Sequence, residues 1–531
     1  MDRRNFVKLG VAGALPRASK RAAAAQGNTS GAKLSSKRSK PNILMIVADQ
    51  LRADCVGTYG SRVVKTPNID RIAVEGVTFT NAYTCVPSCT PARSALLTGL
   101  APWHHGMLGM VRMATRYPVE KPRTLGSSGY YTTVVGKNHF YPIRNSHGYH
   151  QMVLDEHCSY WFDKQENEKP EAASPEERCD YEAWFWSQLP TANPHATGLG
   201  WNDHRGKPFV FPEHLHATHW TGQTAVNFLN TYERSEPFFL KVSFIRPHSP
   251  YDPPGRCMKQ YEDAAIPPAV EGDWAVRYAP RSDSSNDIWH GKLPPETIRR
   301  SRQAYYGNVS FVDEQVGLIL QALERKGWLD ETLVVFTSDH GDMLGDHNLW
   351  RKTYAYDPSA KIPLLMRWPI GLIAAERGQK RSEPIELRDI FPTFLDAGSV
   401  PQAEEMIQKM DGRSLLSLMR NNGQGWRQWI DLEHNICYHP SNHWNGLTDG
   451  RWKYIFHAQH GEEQLFDLTH DPKELKDLAR VSGHEATLRQ WRNRLIEHLS
   501  ERGDEFVKNG KLALRPQGRM TSPNFPGYSE I

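Results

Sequence analysis

The chain has 531 residues, with 39% hydrophobic and 23% charged side chains, and is long enough for a large enzymatic domain plus an appendage. Its 64 Lys and Arg against 60 Asp and Glu leave a formal net charge of +4, which excludes the global basic signature of a nucleic-acid binder. Seven cysteines, spread from Cys55 to Cys437 without paired spacing, exclude a disulfide scaffold or zinc knuckle, and no apolar run reaches the ~18–20 residues of a membrane helix.

The first 27 residues, MDRRNFVKLGVAGALPRASKRAAAAQG, carry Arg3-Arg4, then a short apolar stretch and a small-residue region at Ala22–Ala25. This pattern reads as a twin-arginine export signal, hence a periplasmic or secreted protein, or else as a plain basic tail. In either case residues 1–40 are expected to be disordered and to precede the folded part.

Four later segments are β-branched apolar runs that end in polar residues: NILMIVADQ (42–50), YYTTVVGKNHF (130–140), PFFLKVSFIRPHSP (237–250) and TLVVFTSDHGD (332–342). Separated by helical patterns such as FVDEQVGLILQALERKG (311–327), they predict central strands of an α/β fold, a large mostly parallel sheet flanked by helices. Ligands in such sheets bind beyond the carboxyl ends of the strands. There the four runs deliver Asp49 and Gln50, Lys137 and His139, His248, and Asp339 and His340.

Residues 165–220 and 264–295 lack periodicity and read as long insertions over the sheet edge, where substrate selection is usually placed. Past residue 425 the character changes. RWKYIFHAQ (451–459) and EEQLFDL (462–468) suggest a hairpin, and EATLRQWRNRLIEHLSERG (485–503) a closing amphipathic helix. The expected division is therefore a catalytic domain at 41–425 and a smaller C-terminal α+β subdomain at 426–531.

The stretch SCTPARSALLTG (88–99) singles itself out. Thr90 is a good N-cap and Pro91 suits the first helical position, so a helix is expected to begin right after Cys89. That puts the thiol at a helix N-terminus, which favours an anion, with Arg93 able to turn its guanidinium back toward it. An isolated cysteine there would more often be core, but the Pro and Arg spacings argue otherwise.

C-x-P-x-R followed by SALLTG resembles the signature of the formylglycine-dependent (type I) sulfatases, members of the alkaline-phosphatase-like superfamily. Cys85 lacks the following x-P-x-R. The resemblance spans about residues 41–478. KPNILMIVADQLRAD, TPNIDRIAVEGVTFTNAY, VGKNHF, RPHSPYDPP, FTSDHGDMLGDHNLWRK, GLTDGRWKYI and LFDLTHDPKELKDLA follow in the family's order.

The resemblance implies that Cys89 is oxidised to formylglycine by a dedicated maturation enzyme. It further implies that Asp49, Gln50, Asp339, His340 and the modified Cys89 hold one divalent cation, usually calcium. The family often has a second acid where Gln50 stands, and the amide removes one negative charge from the set. Lys137 and His139, taken as two apart on an extended segment and pointing the same way, would flank the nucleophile. His248 would serve the leaving alkoxide, and Lys352 a sulfate oxygen.

The implied activity is hydrolysis of sulfate monoesters, here on a saccharide derived from a sulfated polysaccharide, with no nucleic-acid partner. Two alternatives stand beside it: a phosphonate or phosphodiester hydrolase of the same superfamily, and a non-catalytic glycan-binding protein. Asp342, Asp346 and His347 read as a hydrogen-bonded turn. His104 and His105 are candidates for the pocket border. The aromatic clusters 181–186 and 442–444 would either stack on sugars or, more commonly, pack the core.

Overall fold

The structure is a computed structural model and describes residues 40–156, 179–440 and 442–527; the export-signal reading falls on residues 1–40, all but the last of which lie outside them. The central sheet has eight strands: β1 (Asn42–Ala48), β2 (Val77–Phe79), β3 (Tyr131–Gly136), β4 (Gln151–Leu154), β5 (Phe238–Phe244), β6 (Thr332–Thr337), β7 (Leu364–Arg367) and β8 (Gln379–Arg381). Their order across the sheet is β4-β3-β5-β1-β6-β7-β2-β8. Only β7 runs against its neighbours, so the sheet is mostly parallel as expected.

The apolar runs are continuous because both faces of the sheet are covered. Ile43, Met45 and Val47 of β1 join one buried cluster, with α1 (Cys89–Thr98), while Leu44, Ile46 and Ala48 join the other, with α2 (Ala217–Thr231) and α3 (Pro295–Arg325). Alternation along the strand therefore separates two apolar layers instead of an apolar and a polar one.

The C-terminal hairpin is part of a larger element. Strands β9 (Ile430–His434), β10 (Trp444–Thr448), β11 (Trp452–His457) and β12 (Glu462–Asp467) form a four-stranded antiparallel sheet in chain order. A closing helix, α4 (Glu485–Leu499), packs Trp491, Leu495 and Leu499 against it. Trp444 is core here, fully buried with its indole N–H on the Thr353 carbonyl at 2.9 Å. Tyr181 and Phe185 likewise sit in the main core, so the aromatic clusters pack the fold. Among the described residues no helix is long and apolar enough to cross a membrane, and the six described cysteines are free.

One buried side chain works against the fold. The ammonium of Lys121 lies 5.4 Å from the Phe394 ring, 5.8 Å from that of Phe239 and 3.6 Å from the Met45 sulfur. No carboxylate among the described residues pairs with it, and burial lowers its pKa to about 7.

Because the folded value lies below the unfolded one, the folded state resists the proton. The penalty is absent at high pH, where the amine is neutral in both states, and is fully present below about pH 7. The two aromatic faces return part of it. Lys121→Met is expected to raise unfolding free energy by about 2 kcal/mol at pH 7, the gain fading toward pH 10. Denaturant titrations at both pH values check this, and a less stable variant at pH 7 would refute it.

Candidate active site

The four polar-ended runs are neighbours in the sheet: β3, β5, β1 and β6 lie side by side. With ~4.8 Å between strands, their carboxyl ends are forced into one patch despite their separation in sequence. Hydrogen bonds past the strand ends fix the patch. Asp49 N donates to Phe244 O at 3.0 Å, Lys137 N to Ser243 O at 2.9 Å, and His248 N to Asp49 O at 3.1 Å.

Cys89 enters from α1, and the helix starts two residues earlier than the expected Thr90 cap and Pro91 start. Ser88 is the N-cap and Cys89 the first helical residue. The Ser88 hydroxyl makes no capping bond; it pairs instead with His434 of the C-terminal sheet at 2.8 Å. Around the Cys89 sulfur stand the Lys352 ammonium at 3.1 Å, His340 Nε2 at 3.2 Å, Asp49 Oδ1 at 3.8 Å and the Lys137 ammonium at 4.0 Å. Burial and Asp49 push the thiol up, yet Lys137, Lys352 and His340 prevail and hold it well below its ordinary value.

Arg93 does not reach for the sulfur. Its guanidinium, 1% exposed, spans Asp339 Oδ2 at 2.9 Å, Asp49 Oδ2 at 3.2 Å, Lys137 O at 2.8 Å and Ser243 Oγ at 3.1 Å. Its role in the geometry is to brace two carboxylates and a loop. Asp49 takes a second cation, Lys137, at 2.5 Å. Burial alone would raise the Asp49 carboxyl, but Lys137 and Arg93, with His248 and His340, hold it well below the carboxylate range.

Ligand atoms of Asp49, Cys89, Asp339 and His340 all lie within 4.8 Å of one another and are buried. Two carboxylates and an imidazole suit a divalent cation, and Gln50 stands beside them, its backbone N–H donating to Asp339 Oδ1 at 3.1 Å. Its orientation is settled by its amide nitrogen, which donates to Asp342 Oδ2 at 2.5 Å. The same oxygen accepts from Tyr251 OH at 2.6 Å, and Gln50 Oε1 is left to accept from Lys352 at 3.1 Å. The His340 ring leans on Gly341 O through Nδ1 at 2.9 Å, presenting Nε2 inward. Burial opposes protonation of that ring and Asp339 favours it, leaving its pKa raised, so a bound cation would displace a proton there.

His248 and Lys352 form a pair. Nδ1 of His248 faces Ser249 O at 2.7 Å, and Nε2 receives the Lys352 ammonium at 2.9 Å. Burial and the neighbouring Lys352 lower the His248 pKa, whereas Cys89 and Asp49 overcome burial to raise that of Lys352. The proton therefore rests on the lysine.

His139 departs from the expectation. The segment after β3 is not extended, because Gly136 and His139 both have left-handed φ, 92° and 62°. At Gly136 a Cβ would strike the Ser243 carbonyl, so the turn that aims Lys137 needs glycine. The backbone N–H of His139 bonds to the Glu156 carboxylate, and its Nδ1 is buried without a partner. Among the described residues no hydrogen bond or ion pair joins its ring to Cys89.

Other candidates sort cleanly. Asp346 is paired with Arg52 and Arg302, and His347 Nδ1 accepts from Gly272 N at 3.1 Å, both as parts of the folded turn. Asp342 belongs to that turn through Leu344 N at 3.0 Å while also orienting Gln50. His104 pairs with Asp411 at 2.8 Å and His105 is buried beside it, away from Cys89. Sequence reasoning missed Ser243. Its signal was the alternation of Lys241 and Ser243 within an otherwise apolar buried strand.

The sulfatase family model matches residues 41–400, and that of the C-terminal region of N-sulphoglucosamine sulphohydrolase matches 345–501. An arylsulfatase of Clostridium perfringens is 36% identical over 480 residues, covering 89% of this chain and 97% of the relative. The solved structure of BT4656 in complex with its substrate D-glucosamine-2-N,6-O-disulfate superposes with a TM-score of 0.69 at 21% identity, covering 88% of this chain and 99% of that one. A phosphonate monoester hydrolase of Silicibacter pomeroyi gives 0.70 at 23% identity, covering 87% and 96%. Site geometry, family match and full-length similarity together make this chain a member of the sulfatase family.

Proposed function

We propose that the chain hydrolyses sulfate monoesters through a formylglycine made from Cys89, acting on the ring alcohols of sulfated saccharides derived from polysaccharides. The observation that carries this reading is the surround of the Cys89 sulfur. Two ammonium groups, an imidazole and a carboxylate lie within 4.0 Å of a side chain that is 1% exposed. Such a setting is built for a compact dianion and a developing negative charge. The arylsulfatase relative and the neighbour solved with a glucosamine disulfate support ring-bearing esters as substrates.

In the reaction, one hydroxyl of the hydrated aldehyde at position 89 releases its proton to water and attacks sulfur. The sulfur–oxygen bond to the alcohol breaks, and the alkoxide takes a proton from the Lys352–His248 pair. The second hydroxyl then returns a proton to the Lys352–His248 pair, its oxygen closes to the aldehyde, and the bond to the sulfated oxygen breaks to release sulfate. Water rehydrates the aldehyde. Lys137 and Lys352 hold the sulfuryl oxygens, while Arg93 fixes the acids that orient the centre.

A cation held by Asp49, Gln50, Asp339, His340 and the oxygen at position 89, calcium by its hard donors, would acidify the attacking hydroxyl. His139 enters this scheme as a residue beside the turn that carries Lys137. Export as a periplasmic or secreted enzyme, and a maturation enzyme as partner, belong to the same proposal, as does the division into 41–425 and 426–531.

Mass spectrometry of a peptide spanning Cys89, from a host with the maturation enzyme, should show a species lighter than the thiol by ~18 Da. Only thiol in an active preparation would refute the mechanism. Parallel assays on 4-nitrophenyl sulfate and a phosphonate monoester should favour the sulfate. Faster phosphonate turnover would move the assignment to the phosphonate hydrolases.

A further inference from the structure

The atoms that would meet a sulfate ester are all out of solvent: Cys89 is 1% exposed, Lys137 0%, His248 1% and Lys352 4%. Lying on them is Trp201, from the long insertion between β4 and α2. Its ring is stacked on the His248 imidazole, with centroids 4.6 Å apart and planes 28° from parallel. The Lys137 ammonium is 5.6 Å from the ring centroid. Trp201 itself is only partly buried. The indole thus spans from the leaving-group end of the site to the surface.

The backbone that carries it is held on both sides. Asp203 accepts from Arg205 N at 2.8 Å, and His204 N donates to Asn286 O at 3.1 Å. The His204 ring packs on Trp350 at 5.4 Å, and the Ser301 hydroxyl donates to the His204 carbonyl. Before Trp201 stand Gly200 and Gly198, the latter at a left-handed φ of 76°. Gly200 N donates to Asp203 Oδ2 at 3.3 Å and Gly198 O accepts from Lys207 at 3.1 Å, so the ring is carried by an anchored loop and leaves His248 only by rotation about its own side-chain bonds.

We infer that Trp201 is the specificity-determining residue for the leaving alcohol: it yields its place on His248 to the ester oxygen and packs on a ring carried by that alcohol. This rests on the sulfatase reading of the site and adds the residue that selects the alcohol. His248, paired with Lys352, marks the leaving-group end, so the alcohol must pass the ring that now covers it. Breaking a stacked aromatic pair is offset only by a group with a comparable flat face, aryl or pyranose; a small acyclic alcohol has none to offer.

The test uses the full-length matured enzyme, with Trp201→Ala and Trp201→Phe. Substrates are 4-nitrophenyl sulfate, glucosamine 6-sulfate and methyl sulfate, with inorganic sulfate as competitive inhibitor. Trp201→Ala should raise KM for at least one ring-bearing ester by about tenfold, the size of an aromatic contact, and Trp201→Phe should recover most of it. KM for methyl sulfate and the inhibition constant of sulfate should move less than about twofold.

A rise for only the aryl or only the pyranose ester names which ring the indole receives. Equal shifts for methyl sulfate and inorganic sulfate, or no KM change with either ring, would overturn the inference while leaving the sulfatase reading intact. Failure of the wild-type enzyme on all three esters would instead overturn that reading, and the inference with it.

Discussion

Cys89→Ala is expected to abolish turnover, lowering kcat by at least about 10⁴-fold, while the protein folds with a melting temperature within a few degrees of the original. The sulfur is the point on which two lysines, His340 and Asp49 converge, and no other described nucleophile occupies it. Folding should survive, because Lys352 keeps Gln50 Oε1 and His248 Nε2 as acceptors when the sulfur is removed. His248→Ala should cost about 10²–10⁴-fold, the usual worth of a positioned proton-transfer group. The cost should be larger for an alkyl sulfate than for 4-nitrophenyl sulfate, whose leaving group needs no proton. Steady-state kinetics with both esters, beside a thermal melt, check the pair. A Cys89→Ala enzyme within tenfold of wild type would remove the nucleophile from the scheme, and equal losses on both esters would remove His248 from proton transfer.

Much of this site was readable before any fold was known, and the reason is topological. Asp49, Lys137, His248 and Asp339 each follow a buried parallel strand, and those strands turned out to be adjacent. Strand-end position alone then implied convergence. What was not readable depends on contacts between distant segments. The Ser88 hydroxyl pairs with His434 of a distant strand instead of capping, and the helix starts two residues before the place that Thr90 and Pro91 suggested.

The orientation of Gln50 is set by Asp342 and Tyr251, one reaching from the β6 loop and the other from the β5 loop. His139 illustrates the opposite error. Two-residue periodicity assumes extended backbone, and the left-handed φ at Gly136 and His139 breaks it where it was applied. Trp201 lies in a segment without periodicity, where nothing local says which ring meets His248.

Arg93→Met should be the most damaging substitution for stability at this site, costing about 3–5 kcal/mol at neutral pH. The guanidinium makes four hydrogen bonds from a fully buried position, two of them to carboxylates that are themselves buried. Methionine fills much of the volume and removes the guanidinium from both acids, leaving Asp339 with His340 and Asp49 with Lys137 and His340.

The pH dependence has a definite sign. Asp49 has a folded pKa well below its ordinary value of 3.8, so its contribution is present above that value and lost as pH falls through the folded one. The deficit of the variant should accordingly be full at pH 7 and shrink below about pH 4, where Asp49 takes up a proton in the unfolded chain while the folded wild type still resists it.

A divalent cation supplies a second, independent discriminator. With Arg93 absent the acids carry more uncompensated charge, so added calcium should raise the melting temperature of the variant more than that of the wild type. Equal responses to calcium would mean that Arg93 and the cation do not share the two acids, and the assignment of Asp49 and Asp339 as its ligands would fall. A deficit that persisted unchanged into acid would show that Arg93 is held for its packing alone, with its charge on Asp49 and Asp339 irrelevant to the fold.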